Sequence, residues 1–204
     1  MRNACLITVA LGFTAVSSAP ATATADEVIE QIEAGKAYYA EGDLARALTE
    51  FEFALNALRT RFSNAFMATL PGPPALWSAE KPMLETGAAL FGAGVMVTRR
   101  YLEEKGEGQI TAELMVDSPM VQAFSAVFSN PIMIANDPGL ERVRLGKMTA
   151  LLNWDEDRRT GDLSLPLGGR VLAKLIGRDL DDKTILVQMM KAWDLDAVKD
   201  VAGF

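Results

Sequence analysis

At Val95 the spacing of apolar residues changes. Upstream they fall at three- and four-residue steps: Leu44, Ala47, Leu48, Phe51, Ala54, Leu55, Leu58 and Phe62. Such steps draw one apolar stripe along a helix. Downstream, Ile110, Ala112, Leu114 and Val116 are interleaved with Gln109, Thr111 and Glu113. That period of two belongs to a strand with one buried face. A long helical stripe followed by alternating segments joined mainly by turns predicts an α+β fold with an antiparallel sheet.

The alternating half predicts strands over Val95–Glu103, Gln109–Val116, Glu141–Leu145, Lys147–Asn153, Asp162–Leu167 and Val171–Ile176, so a sheet of about five to six strands. Met148, Ala150, Leu152 and Trp154 share one face. Turns fall at Glu104–Gly108 and Asp155–Gly161, and a loop at Ser129–Gly139. Two to three helices accompany the sheet. One runs from Pro119 to Phe128, where Asp117-Ser118-Pro119 combines a capping residue with an early proline. Another runs from Lys183 to Trp193 behind Asp181 or Asp182 and continues through Leu195–Val201, and Glu80–Leu90 is read as a further short helix. Before the stripe, Asp26–Ala40 forms a first helix, with Asp26, Glu27 and Glu30 at its positive end, and Gly42-Asp43 turns the chain into the second helix, Leu44–Phe66. Leu70-Pro71-Gly72-Pro73-Pro74-Ala75 stops that helix and reads as a stiff linker over 69–82, with Trp77 tucked into the next unit. The expected organisation is therefore a leader over 1–25, a helical hairpin over 26–68, the linker, and an α+β domain over 83–204.

The leader reading rests on Arg2, an apolar run from Ala4 to Val16, and two A-x-A exits, Ala21-Thr22-Ala23 and Ala23-Thr24-Ala25. This is the pattern of a secretory signal, cut after Ala25. The run is too short for a bilayer, which takes about 20 residues. Cys5, the one cysteine, leaves with it, and the chain has no histidine. Residues 26–204 then lack disulfides, thiol and imidazole nucleophiles, and imidazole metal ligands. A periplasmic or secreted location follows, for a protein that spans no membrane after signal removal. The net charge of −7 becomes about −8 once Arg2 is removed. With no basic cluster, nucleic acid is a poor partner, because phosphate attraction supplies most of that affinity.

The hairpin resembles a tetratricopeptide repeat over Ile29–Arg61. Gly35 and Tyr38 occupy close-packing positions of the first helix, Gly42-Asp43 the turn, and Ala47, Phe51 and Ala54 the small-large-small pattern of the second. Arg59 stands where the repeat has proline, and no second copy follows. A stable solenoid needs about three such units. The stripe must therefore cover something else: a partner chain, a second subunit, or the protein's own C-terminal domain. The rest of the chain is similar to a widespread group of secreted bacterial proteins of uncharacterised function. That likeness is carried by Leu70-Pro71, Trp77, Glu80, Gly92–Gly94, Arg100-Tyr101, Asp117-Ser118-Pro119, Gln122, Ser129-Asn130-Pro131, Gly146-Lys147 and Gly161-Asp162. It implies fold and location, and no activity.

Motifs with chemistry are mostly refused by their spacing. Gly146-Lys147-Met148-Thr149 lacks the hydroxyl after lysine and the glycine five positions earlier that a phosphate loop requires. Phe91-Gly92-Ala93-Gly94 lacks the third glycine of a dinucleotide site. Asp155-Glu156-Asp157 is followed by Arg159, Thr160 and Pro166 where a calcium loop needs oxygen, glycine and glutamate. Asp179, Asp181 and Asp182 read as capping charges. The methionines show no Met-x-x-Met cluster for copper and read as core filling.

The expected function is a non-catalytic interaction or adaptor protein with no cofactor and no metal, docking another envelope protein or a second copy of itself. The candidate surface is the stripe at Leu48, Phe51, Leu55, Leu58 and Phe62, joined by a basic patch if Arg100, Arg142 and Arg144 share a sheet face. The alternative is a carrier for a small apolar ligand held between sheet and helices.

Overall fold

The computed structural model describes residues 26–85, 94–130 and 139–204. It divides into two compact units between Ala54 and Leu55.

The first unit is a helical hairpin of α1 (Glu27–Ala40) and the start of α2 (Leu44–Thr69). The Asp26 carboxylate accepts from the Val28 amide, 3.0 Å away, and caps α1. Gly42 adopts φ 82°, a left-handed turn that costs glycine little. Asp43 then accepts from the Arg46 amide at 3.1 Å and opens α2. Val28, Gly35, Ala47 and Ala54 are buried. A Cβ on Gly35 would lie 2.7 Å from the Phe51 ring, so a larger residue there would require that ring to move.

The second unit is built on an antiparallel sheet of eight strands. They are β1 (Trp77–Ala79), β2 (Met83–Leu84), β3 (Val95–Glu103), β4 (Gln109–Val116), β5 (Leu140–Leu145), β6 (Met148–Asp155), β7 (Thr160–Leu167) and β8 (Val171–Arg178). Their order is β1-β3-β4-β8-β7-β6-β5, with β2 also on the outer edge of β3. The four-strand meander β5–β8 thus closes against the β3–β4 hairpin through β8. The other elements are α3 (Pro119–Phe128), α4 (Thr184–Ala192) and α5 (Leu195–Ala202).

Alternation sorts the strands into two faces. Val97, Tyr101, Ile110, Ala112, Leu114, Leu152, Leu163, Leu165, Ala173 and Leu175 point to one face. There they pack with Phe66 and Leu70 of the α2 end, Leu186 and Met190 of α4, and Leu195 and Val198 of α5. This is the core, and it is filled by side chains.

Several expectations need correction. The sheet has eight strands, more than the expected five to six. β1 and β2 are three and two residues long, too short to show a period, and both lie outside the alternating half. Residues 80–85 are not helical. They are extended along β3, where the Glu80 and Glu85 amides donate to the Arg100 and Met96 carbonyls at 2.9 Å. The rest of the expected helix, 86–90, lies outside the described residues, as does most of the expected 129–139 loop. The last helix is two helices. Asp194 accepts from the Ala197 amide and starts α5 afresh after Trp193. The segment 69–82, expected as a linker, carries β1 and is docked. Leu70 and Pro71 are buried, and the Tyr101 hydroxyl donates to the Pro71 carbonyl at 2.6 Å.

Candidate functional site

The second face of the sheet is where the strands place their polar residues. Its central row runs Thr98–Glu113–Lys174–Ser164 across β3, β4, β8 and β7. The next row is Arg100–Thr111–Ile176–Asp162, and the row on the other side is Met96–Met115–Leu172–Pro166. α3 lies over this last row: Val121 and Phe124 pack on Met115, Leu172 and Met96. Three devices hold α3 in place. Ser118 caps it through the Met120 amide at 3.3 Å. Gln122 donates to the Gly169 carbonyl at 2.8 Å. Asp117, in a left-handed turn at φ 52°, accepts two hydrogen bonds from the Arg170 guanidinium at 2.8 and 2.6 Å. That pairing holds the Asp117 carboxyl below the usual aspartate range, first by the hydrogen bond and further by the positive charge.

Beyond the N-terminal end of α3 the described residues leave the face open, between β2 on one side and Ser118 and Met120 on the other. The opening is a groove of about 460 Å³, a size that suits a small ligand. Met83, Met96, Met115 and Met120 supply its apolar surface, and Thr98, Thr111, Glu85, Glu113 and Arg100 its polar surface. Gly94 closes one end. A Cβ there would stand 2.6 Å from the Val116 carbonyl oxygen, so β3 can enter beside β4 only with glycine.

Glu113 is half-buried on the groove floor. Removal from water pushes its carboxyl above the usual glutamate range. Lys174 pulls the other way, while Glu85 and Asp162 push with the burial. Lys174 is itself committed to Asp162 at 3.4 Å, and Asp162 also accepts from the Ser164 hydroxyl at 3.1 Å. Glu85 accepts from Thr98 at 3.0 Å. Among the described residues, Glu113 carries neither a hydrogen bond nor an ion pair closer than 4 Å. The arrangement is that of a recognition floor: a carboxyl beside hydroxyls, flanked by pliable thioether side chains.

Of the sequence-selected residues, those of the stripe all lie on α2 and are mostly exposed, while the three arginines stand apart. In the first unit Leu48 is 61 % exposed and Phe51 39 %. In the second unit Leu55 and Leu58 are exposed, whereas Phe62 is half-buried, edge-on to Phe66 with ring centres 4.7 Å apart. Arg100, Arg142 and Arg144 do share the second sheet face by register, yet they form no common patch. Four strands separate β3 from β5, roughly 24 Å at about 4.8 Å per strand. Glu113 on β4 and Asp162 on β7 stand on strands that lie between them. Arg100 faces Glu80 at 3.8 Å, Arg142 stands over the Phe128 ring at 6.0 Å, and Arg144 donates to the Gly146 carbonyl.

The acidic turns serve the backbone. Asp155 accepts from the Arg158 amide at 3.0 Å, Asp182 from the Thr184 amide at 2.8 Å, and Asp181 pairs with Arg159. Among the described residues no group of three or more metal-ligating side chains converges, and no helix is long and apolar enough to cross a membrane.

The groove itself was not found from the sequence. Its wall needs β2, which has no period, and its floor needs the register that sets Glu113 beside Thr98. The one available sign was a glutamate and two threonines on the polar side of two adjacent predicted strands. Comparison with family models, curated proteins and solved structures gives no match.

Proposed function

We propose that this chain is a non-catalytic binding protein of the cell envelope, and that the groove on the second face of its sheet holds a small ligand. The observation that carries the reading is the groove: a preformed hollow of about 460 Å³ with methionine walls and, on its floor, a carboxyl that has no hydrogen-bond or ion-pair partner among the described residues. Most ligand sites combine such an apolar surface with a few placed polar groups. The residue inventory favours binding over catalysis, since residues 26–204 hold no histidine and no cysteine. The leader-like N-terminus favours an envelope location.

The test is a native mass spectrum of the protein purified gently from its host's envelope. Additional mass of a few hundred daltons, the size such a groove can hold, is the expected result. A bare chain under conditions that preserve weak complexes would count against the reading.

A second reading, an adaptor that docks another protein through the hairpin, is favoured by one observation. Leu44 and Leu48 are 64 % and 61 % exposed in the first unit, close to the exposed edge of Phe51. Additional mass equal to a polypeptide would support it. Replacement of Leu48 by serine should then remove that mass without unfolding the chain.

A further inference from the structure

We propose that the groove's ligand is an organic ammonium ion with an apolar body, its charged nitrogen held at Glu113 and Glu85 and its hydrocarbon part laid on the methionines. This rests on the groove being a ligand site, and adds the chemical class.

Charge accounting across the groove points to a cation. Three of the four bases around it are already engaged. Arg99 donates to the carbonyls of Glu80 and Pro71, Arg100 faces Glu80, and Lys174 is paired with Asp162. Lys81, at the rim, is exposed. The acids are not balanced in the same way. Glu85 accepts one hydrogen bond, from Thr98, and keeps acceptor capacity. Glu113, its neighbour across Thr98, carries no hydrogen bond or ion pair among the described residues. A half-buried carboxylate without a partner is costly, and a cation brought beside it offsets that cost. Glu85 accepts from Thr98, and Thr98 pairs with Glu113 across β3 and β4, so both carboxyls border the same stretch of the groove.

An anion is disfavoured: it would meet Glu85 and Glu113, and among the described residues of the groove only Lys81, at the exposed rim, is a base with neither a hydrogen bond nor an ion pair. A bare metal ion is disfavoured too, because among the described residues no third carboxylate, histidine or cysteine converges with these two to complete a coordination sphere. Met83, Met96, Met115 and Met120 then have a purpose. Unbranched thioethers adapt to alkyl or aryl groups of different shape. The ammonium supplies specificity and the methionines supply contact area.

The experiment uses the full chain after leader removal and three probes matched in length: octylammonium, octanol and octanoate, titrated calorimetrically at pH 7.5 below their aggregation limits. Octylammonium should bind about tenfold tighter than octanol, the scale of a hydrogen bond to a charged group, and octanoate should bind weakest. Glu113→Gln should remove that tenfold advantage and leave octanol unchanged. Glu85→Gln, on the groove wall, gives an independent check and should reduce it in part. Octanoate binding as tightly as octylammonium, or an advantage that survives both substitutions, would overturn the ammonium assignment while leaving the groove as a site. Failure of all three probes, with circular dichroism showing a folded chain, would overturn both.

Discussion

Replacement of Tyr101 by phenylalanine tests the claim that residues 69–82 are docked onto the sheet. Tyr101 is fully buried on β3, and its hydroxyl is 2.6 Å from the Pro71 carbonyl. The substitution removes one oxygen and opens no sizeable cavity, so packing changes little. It leaves the Pro71 carbonyl short of its donor inside the protein. An orphaned buried acceptor costs about 1–3 kcal/mol. Arg99 approaches the same oxygen at 3.5 Å and offsets a part, which sets the expectation at about 1–2 kcal/mol. For a chain of this size that lowers the melting temperature by roughly 2–8 °C. Urea unfolding followed by the fluorescence of Trp77, Trp154 and Trp193 reads the change, with the dependence on denaturant unaltered.

Alkaline pH supplies a second readout of the same side chain, through its burial. Burial pushes the Tyr101 phenol up to about 12, against the pull of Arg99. The unfolded phenol titrates near 10. Between about 10 and 12 the unfolded chain sheds this proton and the folded chain keeps it, so the native protein loses stability as pH rises through that window. Tyr101→Phe lacks that loss. Its deficit at neutral pH should shrink above about pH 10. Wild-type stability at neutral pH, or a deficit that stays constant through the alkaline window, would refute the reasoning.

Three further outcomes are expected. Glu113→Gln should stabilise the ligand-free protein at neutral pH, because burial raises the Glu113 carboxyl. Stability is then lost as pH climbs through the unfolded and then the folded value, and the two proteins should converge in acid, where both side chains are neutral; equal melting temperatures at all pH values would contradict this. Gly161→Ala should cost about 1–3 kcal/mol by overpacking, since its Cβ would lie 2.3 Å from the Asn153 carbonyl oxygen, and urea unfolding decides it. Arg170→Ala should loosen α3, detected as faster amide exchange in Val121–Ser125, because the guanidinium ties Asp117 to the Ala202 carbonyl. The difference from wild type should narrow as pH falls through the depressed folded value of Asp117.

Much of the fold was legible wherever a segment was long enough to show a period. α3 falls on the expected residues, Pro119–Phe128, because Ser118 and Pro119 write its start into the sequence. β3 and β4 begin and end as their alternation indicates. β7 and β8 each extend two residues beyond expectation, into residues with no side-chain alternation of their own. Pairing order was not legible. Nothing local to Lys174 says that it lies between Glu113 and Ser164, since that depends on which strands become neighbours. The candidate site depends on just such neighbours. The basic patch failed for the same reason: alternation gave Arg100, Arg142 and Arg144 their face, and strand order set them apart.

The most direct test of the central claim is a methyl NMR titration with methionine labelled at its ε-carbon, using octylammonium and then octanol as probes. The groove predicts that Met83, Met96, Met115 and Met120 shift together and saturably, while Met67, Met148, Met189 and Met190, which lie against the core or within it, stay in place. Shifts confined to the core methionines, or no shift in any of the eight, would contradict the assignment of this face as the ligand site.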